Sequence, residues 1–165
     1  MKKVVLSAAA VFALAVAAHA ADDEVKTIGL NEVPEDVLDA ATAAAPISRD
    51  APTVKFNDQV EVEQAEGDMK YGFDGELSDG TKISIDVTEA AEVVEVETII
   101  EQGDVPEAIL AIMNKYVPNI EFTEIERLVD DERAVVYEFE GTRNGAPIDI
   151  TVSADATEFE IEEGA

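Results

Sequence analysis

The sequence predicts an α+β fold of two tandem modules, each one helix packed on a four-stranded antiparallel sheet, with a sheet continuous across both as the open alternative. Three observations point there. Apolar residues switch from helical spacing to strict alternation twice along the chain, and an acid often fills the alternate strand position. Each helical stretch is bracketed by prolines, Pro34 and Pro46 in the first, Pro106 and Pro118 in the second, and the separation within each pair is the same. The strands that follow also keep register: the offset from Tyr71 to Tyr137 equals that from Gly75 to Gly141, and Ile83 to Ile148 is one residue shorter. Equal helices with length changes confined to loops are what duplication and drift leave behind. The boundaries read as 1–20, a signal peptide; 21–32, a lead-in; 33–101, the first module; and 102–163, the second.

The N-terminus has the form of an export signal. Lys2 and Lys3 provide the positive end, Val4 to Ala18 the apolar run, and Ala18-His19-Ala20 a small-x-small cleavage site. A cleaved signal implies a periplasmic or secreted protein, with no membrane segment after cleavage. Ala21 to Gly29 is short and polar and reads as a mobile lead-in.

In the first module, Pro34 suits the first turn of a helix because its missing N–H would be unpaired there anyway. Glu35 and Asp36 favour the positive end of the helix dipole. Val37, Ala40, Ala41 and Ala44 form the predicted buried stripe, and Pro46 ends the helix. Val54 and Phe56 begin a strand, Asn57-Asp58 breaks it, and Val60 and Val62 resume it. Gly67-Asp68 is a turn. Met69, Tyr71 and Phe73 share the next strand face, Ser78-Asp79-Gly80 turns, and Ile83, Ile85 and Val87 return. Val94 and Val96 are the inward residues of the fourth strand.

The second module repeats that order over Val105–Glu163. Asp104 and Glu107 have the spacing of a reciprocal helix cap. Ile109, Ile112, Met113 and Tyr116 form the predicted buried stripe of a helix over Val105–Val117. Ile120 and Phe122 open a strand that kinks before Ile125, and Asp130-Asp131 turns. Val135, Tyr137 and Phe139 face inward, Asn144-Gly145 is a two-residue hairpin turn, and Ile148, Ile150 and Val152 face inward again. Phe159 and Ile161 close the sheet. The first helix carries the smaller stripe, so it is expected to lie closer to its strands and to gain less from docking.

Composition limits the chemistry. The chain has no Cys and one His, His19, inside the signal. A nucleophile–His triad and His- or Cys-based zinc sites are therefore excluded from the exported chain, and its glycines sit singly at turns, with no phosphate-binding loop. Carboxylate pairs could do acid–base work, but among 38 Asp and Glu any pair is expected by chance, so no catalytic residue is named and no enzyme is predicted. The net charge of −27 repels nucleic acid and favours cations or basic partners. Every aromatic after the signal, Phe56, Tyr71, Phe73, Tyr116, Phe122, Tyr137, Phe139 and Phe159, falls on a core-facing position.

The strand face opposite the core is the candidate binding surface. It holds Glu138, Glu140, Asp149, Glu158, Glu160 and Glu162, with Asp74, Asp86, Glu95 and Glu97 as counterparts in the first module. Like charges opposite one another destabilise a sheet, and a basic protein or a hard cation such as calcium would relieve them. No stretch matches a calcium-binding helix–loop–helix. No other cofactor is predicted.

Val105-Pro106-Glu107, the helix ended near Pro118 and the closing strand Thr157-Glu158-Phe159-Glu160-Ile161-Glu162 together resemble the PepSY and PepSY-like group. The tandem plan is also similar to the architecture of the beta-lactamase inhibitory protein. The resemblance implies exported, non-catalytic α+β modules that bind or inhibit an envelope protein or protease. The expected function is such a binding module, with an envelope or secreted partner of basic surface; the alternative is a cation-binding acidic envelope protein.

Overall fold

The computed structural model describes residues 25–45, 54–65 and 68–163. The predicted export signal, Pro46 and Gly67 of the predicted turn lie outside the described residues. Ten strands form one antiparallel sheet. In chain order they are β1 (Val25–Gly29), β2 (Lys55–Phe56), β3 (Gln59–Ala65), β4 (Asp68–Glu76), β5 (Lys82–Thr88), β6 (Val93–Ile99), β7 (Ile120–Asp130), β8 (Val135–Arg143), β9 (Ala146–Ser153) and β10 (Phe159–Glu163). The spatial order is β1-β3-β4-β5-β6-β7-β8-β9-β10, and β2 pairs with β4 beside β3. Among the described residues two α-helices accompany it, α1 (Glu35–Ala44) and α2 (Glu107–Tyr116).

This overturns the expectation of two modules with a four-stranded sheet each. The pair β6–β7, Glu95 to Ile99 against Asp130 to Glu126, carries the ladder straight across the predicted boundary. An uncovered edge strand presents unpaired backbone N–H and C=O groups; pairing β6 with β7 removes two such edges at once. The stretch read as a lead-in is also strand: β1 pairs with β3, Ile28 opposite Val60.

Register fixes which side each residue takes, because directly opposed residues share a face. One core gathers Val37 and Ala41 of α1 with Val60, Val62, Tyr71, Phe73, Ile83, Ile85, Val87 and Val96. A second gathers Val105, Ile109, Met113 and Val117 with Ile125, Tyr137, Phe139, Ile148, Ile150 and Val152. Val96 pairs with Val129, which alternates in phase with Ile125, so both cores and both helices lie on one face. The small α1 approaches β5 and β6 closely, whereas the bulkier α2 stands further from its strands.

Several local expectations are corrected. The helix predicted over Val105–Val117 is a 3-10 turn at Gln102–Asp104 followed by α2, and Pro106 holds the N-cap position without a side-chain cap, so the Asp104–Glu107 cap does not form. The buried stripe is Val105, Ile109, Met113 and Val117; Tyr116 is 56% exposed and stacks on Phe159 with centroids 5.8 Å apart. In β6, Val93 rather than Val94 pairs inward with Val87, because a bulge there shifts the register. The Asn144-Gly145 turn has both residues at positive φ, 55° and 82°, as a two-residue hairpin with strand-compatible twist requires.

Candidate binding face

No described element packs over the sheet face opposite the helices. Register aligns its side chains in rows across the strands, four of which carry the central acids. Glu61, Gly72, Asp86, Glu95 and Asp130 form one row from β3 to β7. Asp74, Ser84, Glu97, Leu128, Val136 and Ser153 form the next. Ile99, Glu126, Glu138, Thr151 and Glu160 form the third. The fourth is acidic at every position: Glu124, Glu140, Asp149 and Glu162 on β7, β8, β9 and β10. Neighbouring strands lie about 4.8 Å apart, so these carboxylates repel one another across a short gap.

Of the six sequence-predicted residues, Glu138, Glu140, Asp149, Glu160 and Glu162 share this face, while Glu158 precedes β10 in an exposed turn. There its backbone N–H donates to Ser153 Oγ at 2.9 Å and its carbonyl accepts from the Ser153 N–H at 3.1 Å. Asp74, Asp86, Glu95 and Glu97 join the same face through the continuous sheet. Sequence reading missed Glu124 and Glu126. The alternation Glu124, Glu126, Leu128 carried the signal, but the bulge between Phe122 and Glu124 shifts the phase established by Ile120 and Phe122.

The centre of the face is crowded. Leu128 is 7% exposed yet belongs to neither core. Its outer-face neighbours are Glu97 and Val136 across the ladder, with Glu126 and Asp130 along the strand. Burial pushes Glu126 and Glu138 up to about 7, aided by the charges of Glu97, Glu124 and Glu140 for the former and of Glu126, Glu97, Glu140 and Asp149 for the latter. Glu97 also rises to about 7, through burial, the Glu95 charge and a hydrogen bond to Glu95, with Asp86 and Asp74 adding to it. Glu95 is raised chiefly by burial, although accepting that bond opposes the rise.

Positive charge enters at the other end. Lys70 Nζ lies 2.8 Å from Asp86 Oδ2 and 3.4 Å from Glu63 Oε2. Burial would lower its pKa, but the bond to Asp86 and the two carboxylates raise it on balance. From β6 to β10 this face has no Lys or Arg among the described residues; Arg127 pairs with Tyr137 on the helix face. Among the described residues, no three carboxylates converge as a metal cage. On the helix side, an open cleft of about 490 Å³ at the end of α2 is lined by Gln102, Met113, Asn114, Asn119 and Phe122, with Glu121 its one ionisable group.

No protein-family profile matches the chain, so the PepSY resemblance gains no support from it. No curated protein matches it in sequence. A solved structure does match in fold: a BLIP-like protein from Bacteroides fragilis, 16% identical, with a TM-score of 0.60 over 79% of this chain and 85% of that one. This chain has a BLIP-like fold. At that identity the likeness extends to the fold alone.

Proposed function

We propose that this chain is a non-enzymatic, exported binding module that docks a basic protein against the outer face of its sheet, in the manner of an inhibitor. The observation that carries the reading is the acidic row Glu124, Glu140, Asp149 and Glu162, aligned across four strands with no cation beside it among the described residues. Aligned like charges cost stability, and a cationic partner recovers that cost on docking. Half-buried Val136 and Ile99 give the face an apolar centre within its acidic surround, the plan of many protein interfaces. The BLIP-like fold supports a protein partner over a small substrate.

Charge reversal tests this. A Glu140→Lys/Asp149→Lys double variant and the wild type would be immobilised and challenged with envelope extract at low and high salt. A basic protein held by the wild type at low salt, weakened by salt and lost by the variant, is the expected result. Retention of the same proteins by both would sink the reading. Calcium uptake by the same face is a second reading, favoured by Glu126 standing directly opposite Glu138. Titration calorimetry decides it, since neither heat nor stabilisation at about millimolar calcium removes it.

A further inference from the structure

We propose that the β6–β7–β8 seam is a proton-operated joint: Glu97, Glu126 and Glu138 hold it loosely when charged and lock it when they take up protons. The argument begins with where the seam lies. The pair β6–β7 joins the strand that ends the first core, at Val96, to the strand that begins the second, at Ile125. Apolar backing is thin between them. On the helix side Val96 opposes Val129 and Thr98 opposes Arg127, and Thr98, Arg127 and Val129 belong to neither core cluster. Thr98 is 9% exposed, and its Oγ1 has no hydrogen-bond partner.

On the outer side the intervening positions of the same strands carry charge. Glu95 opposes Asp130, Glu97 opposes Leu128, and Glu126 opposes Glu138 one strand further on. The charged groups around the trio are Glu95 on β6, Asp86 on β5, Asp74 and Lys70 on β4, Glu63 on β3, Glu124 and Asp130 on β7, Glu140 on β8, Asp149 on β9 and Glu160 on β10. Lys70 is the cation among them, and it is engaged by Glu63 and Asp86. A proton therefore relieves the repulsion without any ligand. The half-buried positions of the three carboxyls place that uptake near pH 7. The folded seam then binds protons that an opened one, with carboxyls near the usual 4.5, does not. Locking is complete below that lower value and is lost as pH rises through about 7.

Amide hydrogen exchange tests the joint. Protection of the β6 and β7 amides, corrected for intrinsic rates, would be compared with the β4–β5 pair at about pH 8 and about pH 5.5. The seam should gain about tenfold in protection over β4–β5 on acidification. A Glu126→Gln/Glu138→Gln variant should be protected at both pH values. Equal gains in the two regions, or a full pH step persisting in the variant, would overturn the proposal. Should the variant fail to fold, carboxyl ¹³C titration of the wild type decides: midpoints near 7 for the trio uphold the joint, and midpoints near 4.5 remove it.

Discussion

Gly141 shows how closely single positions are held. It pairs with Phe122 on β7 and Ile148 on β9, and an added Cβ would stand 2.6 Å from the Glu121 carbonyl oxygen and 2.9 Å from Ile120 Cγ2. Gly75 repeats the arrangement, with a Cβ 2.8 Å from the Lys55 carbonyl oxygen and 3.1 Å from Phe56. Backbone cannot yield as a side-chain tip can, so Gly141→Ala should cost about 1–3 kcal/mol in urea unfolding. The buried Thr98 hydroxyl gives the opposite sign. Replacing an unpartnered donor by a methyl group removes a desolvation penalty, and Thr98→Val should raise stability by about 1 kcal/mol in the same assay. At this scale much was legible in the sequence. Period-two alternation placed Glu138, Glu140, Asp149, Glu160 and Glu162 on one face without knowledge of any partner strand. Glu126 was legible only in part: the kink before Ile125 implied a change of phase, but Glu126 was not assigned to the face until its pairing with Glu138 showed it there.

The two helices separate propensity from packing. Both have ten residues and follow a 3-10 turn and a proline. Their buried positions recur every fourth residue, Val37 with Ala41 and Ala45, Val105 with Ile109, Met113 and Val117. The sequence located both helices, and its stripe for α2 shares Ile109 and Met113 with the observed one but has Ile112 and Tyr116 where Val105 and Val117 are buried. Tyr116 fell on the predicted stripe by its helical spacing; in the structure it ends α2 exposed, with its ring against that of Phe159. Ile109 is fully buried, and Ile109→Ala should cost about 2–5 kcal/mol by urea unfolding. The stripe of α1 offers less area, so its close approach to the sheet adds less free energy than the bulk of α2. Native-state hydrogen exchange should accordingly protect α2 better than α1.

For the whole molecule, pairing across the boundary was what the sequence left open. Most strands, turns and inward faces can be read locally, with β1 and the inward residue at Val93 as exceptions, but whether β6 stops or accepts β7 depends on contacts distant in sequence. Its consequence is electrostatic, since the continuous sheet gathers both acidic faces of a chain whose net charge is −27. Global stability should therefore depend on pH in a specific sense. Glu97, Glu126 and Glu138 are raised from 4.5 to about 7 in the fold, so the folded chain holds more protons than the unfolded chain between those values. Their contribution is full below 4.5 and lost as pH rises through 7. Asp79 and Asp155 work the other way: backbone and side-chain hydrogen bonds with Thr81 lower the former, and bonds with Thr157 and Ser153 lower the latter. What they contribute is lost only at still lower pH, as the pH falls through the depressed folded value of each. The urea midpoint should thus rise as pH falls from about 8 to about 5 and decline again in stronger acid. Salt supplies the control. At about 1 M the screening length is about 3 Å, shorter than the gap between strands, so added sodium chloride should raise the midpoint at pH 8 far more than at pH 5. An equal salt effect at both would mean that hydration of the chain at large, rather than repulsion across this face, limits its stability.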